Sequence, residues 1–402
     1  MNNNKLTRRD FLKMAGVTSA GLALSACGLD VTKLPDLTAT PSLTPFPTST
    51  NTPTLTPTPK PPTMGELARK LGFDIGFSLT LADESFYIPE CQNFLLNFST
   101  LTDGMASHPN LTEKNHTEGW TYWRDLSDFA KSHNMSLDLN HMFYPFGYFQ
   151  DDSAIHYLLD APKDEIEKYI KERVKKFFQI PYFTSANFVN EAIPNDPSKS
   201  NEYGWGQLLN PFYKIYGKNY PYELYKVAWN EAVTTGREIG KDVHLIYNTA
   251  SSEAKSSGAD FEYGYLISLK DKLTKELGIE RPFDIGMQFH LTTIDKEWRW
   301  NAKKFEYQAL LEHLKNIAEI GDVRITEFSI SDINDEQEQK DILHTIFEAF
   351  IDSKVGKSFM MWNPIEWAFN GNNDDAMANL VDKSYKPTFM FDELYKILQS
   401  KS

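Results

Sequence analysis

An α/β fold of the single (β/α)8 TIM barrel kind is predicted by three observations. Short apolar runs alternate with amphipathic stretches throughout residues 64–402, the rhythm of βα units that build a parallel sheet. The apolar runs number eight. No second linker interrupts these 339 residues, which favours one large domain over two medium ones.

Ahead of the barrel lies an address. Thr7-Arg8-Arg9-Asp10-Phe11-Leu12-Lys13 carries the twin-arginine export signature of prokaryotes, and the apolar stretch from Met14 to Ala26 is too short to span a bilayer as a mature helix. Leu24-Ser25-Ala26-Cys27 reads as a lipobox, so residues 1–26 are the expected signal peptide and Cys27 the expected lipidated N-terminus. Residues 31–63 hold nine of the 21 prolines among threonines and few apolar side chains, a composition that buries no core. Residues 27–63 therefore read as a stiff tether, and the chain as a lipoprotein on the outer face of a membrane, held only by its N-terminal lipid.

Within the domain the strands are expected at 72–79, 95–101, 136–143, 183–191, 243–248, 283–291, 323–330 and 358–363. Between them run helical patterns such as 163–178, where Ile166, Tyr169, Ile170, Val174 and Phe177 repeat at helical spacing. The Lys and Arg residues of that stretch read as a solvated face. Long segments at 193–220 and 292–302 follow the fourth and sixth strands, on the rim where barrel enzymes keep their sites.

Two strands end in carboxylates: Phe188-Val189-Asn190-Glu191-Ala192 and Val323-Arg324-Ile325-Thr326-Glu327. Gln288-Phe289-His290 lies between them. Paired carboxylates on separate strands are the equipment of glycoside hydrolysis, in which one acid protonates the leaving oxygen while the other meets the oxocarbenium-like centre. Taken singly, Glu191 also fits a strand-terminal helix cap and Glu327 a surface acid; the ordered set of three motifs argues against both.

That set resembles glycoside hydrolase family 10, whose members are mostly endo-β-1,4-xylanases. The family pattern has Asn-Glu after the fourth strand, Gln-x-His at the sixth and Ile-Thr-Glu at the seventh, matched here by Asn190-Glu191, Gln288-Phe289-His290 and Ile325-Thr326-Glu327. The resemblance implies a retaining glycosidase acting on internal β-1,4 bonds. In it Glu191 is the acid/base, Glu327 the nucleophile, His290 a hydrogen-bonding neighbour of Glu327, and Asn190, Gln288 and Trp362 contacts to sugar. It extends to Tyr247-Asn248 on the fifth strand and to Lys386-Pro387 before the last helix. Departures cluster on the glycone side. The family's Thr-x-Glu-Asn-x-Met-Lys-Trp appears as Thr100-Leu101-Thr102-Asp103-Gly104-Met105-Ala106-Ser107, without the lysine, and Leu-Val-Trp-His appears as Met142-Phe143-Tyr144-Pro145. His141 stands nearby, as a substitute or as a structural residue. Glu366-Trp367 only loosely matches the family's second tryptophan, while Trp298 and Trp300 are alternative sugar platforms.

Composition narrows the partners. A formal charge of −14 argues against nucleic acid and fits a neutral polysaccharide substrate. Two cysteines, Cys27 and Cys91, leave no intrachain disulfide in the mature fold and make Cys91 a packed thiol. No metal motif, nucleotide loop or cofactor signature is present, and a monomer is expected. The competing readings are a sugar importer's binding lipoprotein, which would need two doubly wound lobes, and a barrel that binds sugar without turnover.

Overall fold

A computed structural model describes residues 60–79, 86–103, 118–143, 157–192, 211–241, 244–249, 252–253, 257–292, 300–331, 335–362, 380–382 and 384–402. Several expectations fall outside them: lipidation at Cys27, the rewritten segments at 104–107 and 144–145, Glu366-Trp367, Trp298 and the side chain of Trp300.

Residues Lys60–Ser402 form one compact unit. Its strands are β1 (Asp74–Leu79), β2 (Thr100–Asp103), β3 (Ser136–Phe143), β4 (Ser185–Asn190), β5 (His244–Thr249), β6 (Asp284–Met287), β7 (His290–Thr292), β8 (Trp300–Asn301), β9 (Val323–Ser331) and β10 (Gly356–Met361). Parallel pairing runs β10-β1-β2-β3-β4-β5-β6-β9, and a further β10–β9 pairing closes the ring, so eight strands make a TIM barrel. The described residues of this unit form one closed barrel in place of two doubly wound lobes, which disfavours the importer reading.

Helices surround the barrel: α1 (Met64–Lys70), α2 (Pro89–Leu95), α3 (Glu118–Ser132), α4 (Lys163–Phe177), α5 (Pro211–Tyr216), α6 (Tyr220–Ile239), α7 (Ser257–Leu277), α8 (Tyr307–Ile317), α9 (Glu336–Ser353) and α10 (Phe389–Lys401). Thr63 starts α1 through a capping box, its hydroxyl accepting from the Glu66 amide while the Glu66 carboxylate accepts from the Thr63 amide. In α4 the buried positions are Ile166, Ile170, Arg173, Val174 and Phe177. Arg173 corrects the sequence expectation of a wholly solvated basic face. Its planar guanidinium lies over the Phe143 and Phe177 rings and donates to the Met142 carbonyl, so the group packs against apolar faces while its charge finds an acceptor.

The second and sixth strands also differ from expectation. Residues 89–95 form α2, with Pro89 in its first turn, and the second strand begins only at Thr100. Leu95 and Phe98 are buried as helix and turn side chains, an apolar run whose periodicity alone cannot separate helix end from strand. The sixth strand breaks after Met287: Phe289 adopts a left-handed φ of 57°, and β7 resumes beside β9 in the register His290↔Ser329.

Charged side chains are buried on three of the barrel strands. Arg324 on β9 pairs with Asp284 on β6 at 2.8 Å. Asp138, from β3, is buried within the field of both. Cys91 is fully buried, and burial pushes its thiol up to about 12, which makes it a packing residue.

Candidate active site

The C-terminal ends of β4, β5, β6–β7 and β9 converge on one hydrogen-bonded group of side chains. Glu191 stands one residue beyond β4 with a left-handed φ of 49°, and its amide still donates to the Asn248 carbonyl on β5. A non-glycine residue in that region is strained, and here the strain turns the side chain toward the mouth immediately after Asn190. Gln288 donates to Glu191 Oε1 at 2.7 Å and to Asn190 Oδ1 at 3.4 Å.

On the other side Glu327 is 5% exposed and accepts at both oxygens. Asn248 Nδ2 lies 2.7 Å from Oε1, and His290 Nε2 lies 3.0 Å from Oε2. Asn248 is the bridge between the two acids. The same Nδ2 lies 2.7 Å from Asn190 Oδ1, while its own Oδ1 accepts from the Thr326 hydroxyl at 2.6 Å. Gly286 makes room for it, since a Cβ there would collide with Asn248 Oδ1, Ile246 and Thr326.

A bulge makes this wiring feasible. Between the pairs Ile325↔Phe359 and Phe328↔Met361, β9 holds two residues where β10 holds one. Thr326 and Glu327 can therefore address the same asparagine from consecutive positions. Further register shifts occur where β3 meets β4 and where β4 meets β5, and one more lies at the start of β10.

Trp362 follows β10, its amide donating to Phe328 and its ring meeting the His290 ring edge-on, with 6.1 Å between centroids. His141 lies on β3 and is 7% exposed. The structure thus brings together Asn190, Glu191, Gln288, His290, Glu327 and Trp362 from the sequence reading. It adds Asn248, Thr326 and Ser329. The first two lay in quoted motifs, but an asparagine ending a strand carries the same signal as a turn residue. Glu253 is another addition, buried at 1% and accepting from the Phe289 amide at 3.0 Å, which supports the break between β6 and β7.

A cavity of about 480 Å³ opens at the opposite end, among Asp74, Ser136, Thr184, His244, Arg324 and Lys357. Arg69 pairs with Asp74 and Arg324 with Asp284, while Lys357 lies 3.9 Å from Asp322, which Arg281 holds at 2.8 Å. None of the six site residues expected from the sequence lines this cavity. Among the described residues no group of three or more His, Cys, Asp or Glu side chains is arranged to hold a metal.

Solved structures share this fold. A xylanase 10B from Thermotoga petrophila RKU-1, solved in complex with xylobiose, superposes with a TM-score of 0.66 at 19% identity, covering 86% of this chain and 99% of its own. The native xylanase 10B from Thermotoga maritima gives 0.64 at 20%, covering 84% and 98%, and the endo-1,4-beta-xylanase XylE from Penicillium canescens gives 0.65 at 16%, covering 84% and 98%. No curated protein matches by sequence. Residues 5–25 match the twin-arginine translocation pathway signal sequence, the mark of an exported protein. Residues 66–396 match the model of glycosyl hydrolase family 10, so the chain, a barrel with paired carboxylates at its strand ends, belongs to that family of glycoside hydrolases.

Proposed function

We propose that this enzyme is a retaining β-glycosidase that cleaves internal β-1,4 bonds of xylan or a related hemicellulose, with Glu327 as nucleophile and Glu191 as general acid/base. The observation that carries the reading is the Asn248 amide, which ties Glu327 to Asn190 and through Gln288 to Glu191. One rigid group thereby sets the relation of two carboxylates from different strands, as bond cleavage between them demands. Asn248 and His290 hold Glu327 at both oxygens, which orients the carboxylate for attack on an anomeric carbon. Asn190 offers its oxygen to two amides, which leaves its NH2 group to donate to a sugar hydroxyl.

Glu191 hands its proton to the leaving oxygen while Glu327 forms the glycosyl-enzyme; Glu191 then takes a proton from the water that hydrolyses it. Trp362, beside His290, supplies a face for a sugar ring. The relatives described as xylanases support xylan as the first substrate to try. The lysine and histidine missing from the glycone side argue for weak turnover of unsubstituted xylan, because binding energy from the neighbouring sugar contributes to transition-state stabilisation.

Reducing-sugar release from a panel of xylans, mixed-linkage glucans and aryl β-glycosides tests the substrate. For the mechanism, Glu327→Ala is expected to abolish turnover, and Glu191→Ala to spare the first step best on substrates with good leaving groups. Azide should rescue the Glu191→Ala enzyme and give a product of retained configuration. An inverted product from the wild type would overturn the assignment, as would a carboxyl separation near 9 Å in place of about 5 to 5.5 Å.

A further inference from the structure

Two residues beyond Glu327, β9 carries a buried hydroxyl that no sequence motif singled out. Ser329 is 3% exposed and faces His290 across the β7–β9 ladder, with its Oγ 2.8 Å from His290 Nδ1. The other ring nitrogen, Nε2, lies 3.0 Å from Glu327 Oε2. The imidazole is therefore held at both nitrogens, between a neutral hydroxyl and a carboxylate. Its backbone setting is fixed as well: the Ser329 amide donates to the Phe289 carbonyl at 3.1 Å, while the Phe289 amide donates to the buried Glu253.

An ionised carboxylate only accepts hydrogen bonds, so the ring can donate to Glu327 only while its proton sits on Nε2. In a neutral imidazole Nδ1 then carries a lone pair, and the group facing it must donate. A serine hydroxyl can do so without bringing charge, whereas a second carboxylate at that place would draw the ring toward the doubly protonated cation. We propose that Ser329 is a positioning residue that fixes His290 as the Nε2–H tautomer. Both donors to Glu327, this imidazole and the Asn248 amide, are then neutral. The carboxylate is oriented without a cation beside it and keeps its whole negative charge for the sugar. The kinetic consequence rests on the proposed role of Glu327 as nucleophile; the tautomer does not.

The test is nitrogen NMR of the full chain labelled with 15N-histidine, the His290 signals being those lost in His290→Gln. The expected spectrum has the proton on Nε2 and a bare Nδ1 in the wild type. Ser329→Ala should admit the Nδ1–H tautomer, and Ser329→Thr should restore the wild-type pattern. In steady-state kinetics Ser329→Ala should lower kcat by about tenfold, the equivalent of one lost hydrogen bond, with KM changed far less. A wild-type ring protonated at Nδ1 alone or at both nitrogens would overturn the proposal, and so would a tautomer unmoved in Ser329→Ala. If Glu327→Ala retained turnover, the nucleophile assignment would fall while the NMR result judged the tautomer separately.

Discussion

Asn248 has no part in bond making, yet it is the side chain that both acids depend on, Glu327 directly and Glu191 through Asn190 and Gln288. Losing a hydrogen bond to a charged group costs about 1.5–3 kcal/mol, so Asn248→Ala is expected to reduce turnover roughly 10- to 100-fold. Steady-state kinetics on an aryl β-glycoside would check this, and a rise in KM with kcat preserved would instead assign Asn248 to ground-state binding. Asp138 has the opposite character, a buried acid whose burial raises its carboxyl from the ordinary 3.8 to about 6, opposed by Arg324 and a Ser185 hydrogen bond and reinforced by Asp284. Its folded form thus holds a proton more tightly than its unfolded form. The stability linked to that proton is complete below about 3.8 and is lost as pH rises through about 6. Asp138→Asn should flatten this decline, and melting temperatures measured from about pH 4 to about pH 7 would show it; equal slopes for both proteins would exclude Asp138 as the cause.

At the scale of elements, the C-terminal helix α10 is fastened to α9 by a histidine between two glutamates. His344 Nδ1 lies 2.6 Å from Glu348 on its own helix, and Nε2 lies 2.9 Å from Glu393 on α10. Burial alone would lower the His344 pKa, but the hydrogen bonds to Glu393 and Glu348 outweigh it and hold the ring above its ordinary value. The His344 hydrogen bond in turn holds Glu393 below the ordinary carboxylate range, with burial opposing. The His344 contribution is present below about 6.5 and fades as pH rises past that; the Glu393 contribution is present above about 4.5 and fades on acidification. The fastening is complete between those limits. The ring is 41% exposed, so His344→Ala should cost less than about 1 kcal/mol, about 1–2 °C in melting temperature inside that window and less at alkaline pH. An unchanged difference at alkaline pH would remove the charge from the explanation. Elements also show how far the sequence could be read. The third strand lies where its run put it, at Ser136–Phe143, because a helix pattern and the polar Ser132-His133-Asn134 precede it and Pro145 follows. The second was displaced into α2 because Leu95 and Phe98 are equally apolar in a helix, a turn or a strand. Asn190, Glu191, Gln288, His290 and Glu327 were legible because their three motifs stand in one order along the chain, although each residue alone also fits a cap, a turn or a surface position. Ser329 was not, since a serine within a strand signals nothing until its partner across the ladder is known.

At the scale of the whole molecule, the closed barrel begins beside its own C-terminal helix, for the Tyr395 hydroxyl donates to the Pro62 carbonyl at 3.0 Å. Ahead of that point lies the Pro/Thr-rich stretch, expected to reach on the order of 100 Å if it extends at about 3.1 Å per residue. With Cys27 as the lipidated terminus, Cys27→Ala should move the enzyme from the membrane fraction to the soluble one; identical fractionation of both proteins would rule the anchor out. A last consequence comes from the strand ends. In a regular strand neighbours point to opposite faces, so presenting two side chains to one place uses three positions. The left-handed turn at Glu191 and the extra residue on β9 do it in two, which is why Asn190-Glu191 and Thr326-Glu327 appear as adjacent doublets in the sequence. Such doublets behave like a reading frame. Deleting one residue upstream within either strand would put Phe328 where Glu327 stands, or Ala192 where Glu191 stands, so that this part of the enzyme should tolerate exchange of side chains far better than any change in their number.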